Sequence, residues 1–87
     1  MVYVDNYEQP YGPYVMSHMI ADTTDELLEM VDAIGVKRKY IQYEGTDREH
    51  FDVCLSKRAA AIELGARLIH PKELVWRTQN RDVQHLI

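Results

Sequence analysis

Thr23-x-x-Glu26, followed at once by Leu27, Leu28, Val31 and Ile34 and closed by Gly35, is the most constraining stretch of the chain. The threonine hydroxyl and the glutamate carboxylate can each satisfy an orphan amide of a first turn, and Asp22 and Asp25 place negative charge where a helix dipole favours it. Gly35 admits the left-handed residue that ends a helix without steric cost. A helix is therefore expected here, with the four aliphatic residues as its buried stripe. Such a stripe needs a surface to cover, and the neighbouring segments supply it with the period of strands. Val2-Tyr3-Val4 is β-branched and aromatic, and from Val15 to Ala21 the residues Val15, Ser17, Met19 and Ala21 share one face, opposite Met16, His18 and Ile20.

The same reading extends along the chain. Between the first two strands, Pro10, Gly12 and Pro13 turn a loop that carries Tyr7, Tyr11 and Tyr14. Val36 to Tyr43 alternates and is expected as a third strand, with Tyr40 and Gln42 on one face. A polar loop around Gly45 leads to an extended His50-Phe51-Asp52-Val53. Ser56 offers an N-cap for a second helix through Leu64, Gly65 stops it, Arg67-Leu68-Ile69 is a short strand, and Pro71 opens a last helix holding Leu74, Val75 and a core Trp76. The order ββαβαβα implies an α/β (α+β) domain: a small mixed sheet of three or four strands with two or three helices packed on it.

With 87 residues the chain forms a single domain over 1–87. Its core is expected within about 2–76, and 77–87 would be a tail or helix extension whose Val83, Leu86 and Ile87 could meet a partner or a second copy in a homodimer. Ten basic against fourteen acidic side chains give a net charge of −4, which disfavours duplex nucleic acid as a partner. Cys54 is the sole cysteine, so neither an internal disulfide nor a Cys-rich zinc site can form, and a reducing, cytoplasmic setting is expected. No apolar run approaches a membrane span.

Three constellations carry chemistry. In His50-Phe51-Asp52 an extended backbone sends the imidazole and the carboxylate to the same side, where they can act in proton transfer, although Asp52 can equally serve as a capping group. His18 shares a strand face with apolar neighbours and reads as a core residue unless the sheet brings it to His50. If it does, Asp5, His18, His50 and Asp52 could hold a divalent metal, the one cofactor reading the residues allow. Ser56-Lys57-Arg58 would present amides, a hydroxyl and two cations to an anion at a helix start, against the plainer reading that both basic side chains lie in solvent. Lys37-Arg38-Lys39 complements the dipole of the preceding helix, and Cys54, flanked by Val53 and Leu55, reads as a small buried hydrophobe.

Taken together, Tyr3-Val4-Asp5, His18-Met19-Ile20-Ala21-Asp22, Glu26-Leu27, Ile34-Gly35, Tyr40-Ile41-Gln42, His50-Phe51-Asp52, Ser56-Lys57-Arg58 and Gly65-Ala66 resemble, in order and spacing, the small bacterial and phage proteins of the family called domain of unknown function 4031. The resemblance spans about residues 2–74. It implies no established activity, but it does imply that His18, Asp22, Gln42, His50, Asp52, Lys57 and Arg58 belong to one polar set. Met16 and Phe51 stand where that family typically has an aromatic residue and a tyrosine.

The expected function is binding of an anionic, phosphate-bearing, nucleotide-like ligand by Gln42, Ser56, Lys57 and Arg58. Were the protein an enzyme, it would be a phosphoester or nucleotide hydrolase, with His50 as general acid or base, Asp52 orienting it and His18 as the second proton-transfer group. The alternatives are a non-catalytic phage accessory factor that binds a protein, and a metal-dependent hydrolase using Asp5, His18, His50 and Asp52.

Overall fold

The computed structural model describes residues 1–81, so the expected apolar tail of Val83, Leu86 and Ile87 lies outside the described residues. Five strands and three helices follow the order β1 (Val2–Asp5), β2 (Gln9–Tyr11), β3 (Tyr14–Ala21), α1 (Thr24–Ile34), β4 (Phe51–Cys54), α2 (Leu55–Glu63), β5 (Arg67–Ile69) and α3 (Pro71–Gln79). The mixed α+β class is as expected, with more strands than the anticipated three or four. Strand β3 is central. Met19 pairs with Val4 of β1 on one side and Phe51 of β4 on the other, both antiparallel, and β5 adds to β1 in parallel.

The helix read from the capping box forms as expected. Thr23 caps it by accepting from the Glu26 amide, its buried residues are Leu27, Val31 and Ile34, and Gly35 closes it in the left-handed region at φ 79°. With α2 it covers one face of the sheet, where Val2, Val4, Met19, Ala21, Phe51, Val53, Ala61 and Ala66 complete the main core. The alternate residues face the other way: Tyr3, Ile20 and Ile69 meet Leu74 of α3 in a smaller cluster. Arg77 clamps α3 there, its guanidinium 4.1 Å from the centre of the Tyr3 ring and donating to the Tyr3 hydroxyl at 3.0 Å.

Three local expectations are overturned. Val36 to Tyr43 is no strand: Arg38–Tyr40 forms a 3₁₀ turn, and only Gln42 makes a β-bridge, to His50. Lys37, Arg38, Lys39 and Tyr40 are all exposed, so the alternation has no apolar face to bury, and the strand beside β3 is Phe51–Cys54, whose Phe51 and Val53 do. Helix α2 starts one residue before Ser56, with Cys54 as its half-buried N-cap. Trp76 is 54% exposed and not core, because α3 turns Leu74 rather than Trp76 toward the sheet.

The aromatic loop is ordered by a local mismatch. Val4 pairs with Met19 and Gln9 with Met16, so residues 5–8 stand opposite only Ser17 and His18. The chain bulges, and the bulge needs substitute hydrogen bonds. The Asp5 carboxylate accepts from the His18 backbone amide at 2.9 Å, and the Ser17 hydroxyl donates to the Tyr7 carbonyl at 2.6 Å. Arg58, reaching from α2, donates to Ser17 Oγ at 2.9 Å and to the Asp5 carbonyl at 3.3 Å.

A candidate acid–base site

The bulge places Asp5 beneath His18. One carboxylate oxygen accepts from the His18 backbone, and the other lies 2.8 Å from Nδ1 of its ring. A carboxylate only accepts when ionised, so Nδ1 carries a proton and Nε2 is the nitrogen left for a ligand. The hydrogen bond that His18 donates to Asp5 raises the His18 pKa above its ordinary value, against partial burial; the charges of Asp5 and Asp52 act in the same direction. Asp5 itself is 1% exposed, so this is a buried carboxylate with its partner standing between it and solvent.

His50 arrives from the end of the polar loop, just before β4. Its Nδ1 lies 2.8 Å from the Arg48 carbonyl, which can only accept, so this ring too presents Nε2 outward. The two imidazoles meet edge to face with centroids 5.8 Å apart. Asp52 pairs with His18 across the β3–β4 ladder. One of its oxygens is 3.6 Å from His50 Nε2, while the other accepts from Gln42 Nε2 at 2.8 Å. Asp52 is thus a fixed charge beside both rings, and the group that orients His50 is the backbone of Arg48.

Tyrosines wall the pair. Tyr7 stacks on His18 at 5.6 Å between centroids and Tyr43 on His50 at 6.0 Å. Tyr43 has φ 54°, a left-handed conformation that costs a non-glycine residue roughly 1–2 kcal/mol. Strain of this kind gathers where a side chain is held for use.

Two cavities meet at His18. The larger, about 750 Å³, is lined by Tyr11, Tyr14, Met16, Tyr40, Gln42 and Asp52 among others. The smaller, about 360 Å³, lies under α3 and is lined by Asp5, Tyr7, Tyr43, Arg48, His50 and Leu74 among others. His18 lines both.

The sheet therefore brings together Asp5, His18, His50, Asp52 and Gln42, as the sequence suggested, with Asp5 hydrogen-bonded to His18. It does not bring Ser56, Lys57 or Arg58 to them. Lys57 Nζ donates to the Ile34 carbonyl at 2.7 Å, closing the last turn of α1. Arg58 is held behind the sheet by Ser17, the Asp5 carbonyl and Glu8. Ser56 bonds Cys54 Sγ at 3.3 Å; that hydroxyl, with amides of the first turn of α2 and against partial burial, holds the thiol below its ordinary range. Asp22 sits at the far end of β3, 3.4 Å from the Tyr3 hydroxyl. Among the described residues no group of three or more His, Cys, Asp or Glu side chains is placed to hold a metal ion, so Asp5, His18, His50 and Asp52 do not form such a cage. No helix among the described residues is long and apolar enough to cross a membrane.

Fold and site together define a small α+β protein with an open histidine pair on one sheet face. The chain belongs to the family described as protein of unknown function (DUF4031), whose profile matches residues 2–81, nearly its full length. No curated protein and no solved structure matches it.

Proposed function

We propose that the protein is an acid–base phosphoesterase acting on a nucleotide-like ligand bound across the His18–His50 cleft. The observation that carries this reading is the convergence of two imidazoles whose Nδ1 positions are both committed, to Asp5 and to the Arg48 carbonyl, so that both Nε2 atoms serve the ligand. A pair of this kind can remove one proton and deliver another across a single reacting centre. His18, held toward its cationic form, is the acid, and His50 is the base.

The anion end of the ligand moves with the site. Lys57 and Arg58 are committed to backbone and side-chain acceptors, so the charge of a phosphate is met instead by protonated His18 and by Arg48 at the wall of the smaller cavity. The exposed tyrosines supply flat surfaces for a ring. An interaction protein would not need two tautomer-fixed imidazoles in contact, although Leu68 of β5 and Trp76 of α3 are exposed and leave room for a protein contact elsewhere.

Bis(p-nitrophenyl) phosphate tests the reading, because its good leaving group lets water serve as the nucleophile with His50 as base. Turnover by the wild-type protein, lost at least ~100-fold in His50→Gln with an unchanged melting curve, is expected. Absence of turnover, or undiminished turnover by a folded His50→Gln variant, overturns it.

A further inference from the structure

Resting on that reading, we infer that the substrate is single-stranded RNA, held with a base on each side of His18 and cleaved by attack of its own 2′-hydroxyl. The two cavities, about 750 and 360 Å³, both lie within the roughly 300–1,000 Å³ of ordinary ligand sites. A mononucleotide would fill one and leave the other open. Tyr11, Tyr14 and Tyr40 line the larger, and Tyr7 and Tyr43 the smaller. A proton-transfer centre flanked on both sides by aromatic platforms matches a chain in which flat bases recur on either side of a phosphate. Bases stacked inside a duplex could not reach those platforms, and the net charge of −4 gives no broad hold on a double-stranded backbone.

The identity of the nucleophile points the same way. Among the described residues no serine, threonine or cysteine is hydrogen-bonded to either imidazole: Ser17 is turned to Arg58 and the Tyr7 carbonyl, and Cys54 to Ser56. RNA carries its own nucleophile next to the phosphorus. In the step, the 2′-oxygen forms a bond to phosphorus as the bond from phosphorus to O5′ breaks. The 2′-hydroxyl proton passes to His50 Nε2, and protonated His18 gives its Nε2 proton to the departing O5′. The products are a 2′,3′-cyclic phosphate and a 5′-hydroxyl, and no further reactant enters. Solvent then restores both protonation states.

The test is a short oligodeoxyuridine with one central ribonucleotide, compared with its all-deoxy counterpart. The chimera should be cut only on the 3′ side of the ribonucleotide, leaving a cyclic phosphate and a 5′-hydroxyl. The all-deoxy strand should stay intact yet bind with a Kd within about tenfold, since base stacking does not read the sugar. Cutting should fall at least ~100-fold in His50→Gln and His50→Asn, two variants that guard against a misfolded one. An intact chimera, ends of the opposite kind (3′-hydroxyl and 5′-phosphate), or undiminished cutting by both folded variants overturns the inference. If the chimera survives while bis(p-nitrophenyl) phosphate is hydrolysed in a His50-dependent way, the RNA assignment falls and the phosphoesterase reading stands. If neither is turned over, both fall.

Discussion

The two faces of the sheet are built to different standards. On the face under α1 and α2, Val4, Met19, Leu27, Val31 and Phe51 are fully buried, and the cations that reach that side, Lys57 and Arg58, are committed to internal acceptors. On the face under α3, only the end bearing Tyr3, Ile20 and Ile69 is covered. The other end leaves His18, His50 and Asp52 at least partly open to solvent. A domain this small has stability to spare on the order of 4–13 kcal/mol, so one well-packed face must carry an incompletely covered one. The difference teaches where function can sit: polar groups on the packed face are satisfied by the protein, while those on the open face are at least partly turned to solvent.

Substitution should separate the faces. Phe51→Ala removes a fully buried ring from the packed side and should cost about 3–5 kcal/mol, enough to unfold much of the population at 37 °C. Asp52→Asn, on the neighbouring residue of the same strand but the open side, should stay within about 0.5 kcal/mol by urea titration. Comparable losses in both would erase the distinction between the faces.

Arg58→Met probes the contact between them. It strips the Ser17 hydroxyl and the Asp5 carbonyl of a donor, at a cost of about 1–3 kcal/mol, and loosens the bulge that seats Asp5 under His18. A stable variant with normal His18 chemical shifts would show that the guanidinium is dispensable to the site. Had Arg58 been a ligand-binding residue, as the sequence suggested, the substitution would leave the melting temperature alone.

Why the sequence placed the histidines well and the cations badly is a matter of range. The face of His18 follows from strand alternation, and the shared side of His50 and Asp52 from their spacing, both local properties. The capping box and Gly35 are local too, and α1 forms where they put it. Whether Arg58 meets a ligand or Ser17 depends on a contact between residues 41 apart in the chain, and on a bulge whose extra residues no period reveals. Asp5 was legible as an acid that could converge on His18, His50 and Asp52; its two hydrogen bonds to His18 could be found only from the register of β1 on β3. The Val36–Tyr43 strand failed because alternation of charged residues imitates alternation of buried and exposed ones. Tyr43 gave no signal beyond the adjacent Glu44-Gly45 turn.

The open face can be altered without unfolding the protein. Tyr40→Ala removes a ring that is 59% exposed, so stability should change by no more than about 0.5 kcal/mol. Binding of the all-deoxy oligonucleotide should weaken by about 1–3 kcal/mol, the worth of one stacked base, measured by fluorescence anisotropy. Trp76→Ala, as exposed but on the outer side of α3 and absent from the residues lining either cavity, should leave that affinity unchanged. Equal weakening by both would mean that binding follows general surface aromaticity and not the cleft.

The smallest effect is the pH dependence that His18 contributes. Its folded pKa is raised by the Asp5 hydrogen bond, with Asp52 adding charge and with Tyr7 and His50 facing the ring from the loop and from β4's approach. The folded state therefore holds the proton more tightly than the unfolded chain. The resulting stabilisation is fully present below the unfolded histidine value of about 6.5 and disappears as pH rises through the higher folded value. Because the side chain is 37% exposed, solvent screening keeps the contribution below about 1 kcal/mol. Urea titrations at pH 6 and pH 9 should differ more for the wild type than for His18→Gln, and the His18 ring should titrate above free histidine by NMR. A variant whose pH profile matches the wild type would place the proton elsewhere and remove His18 as the acid of the pair.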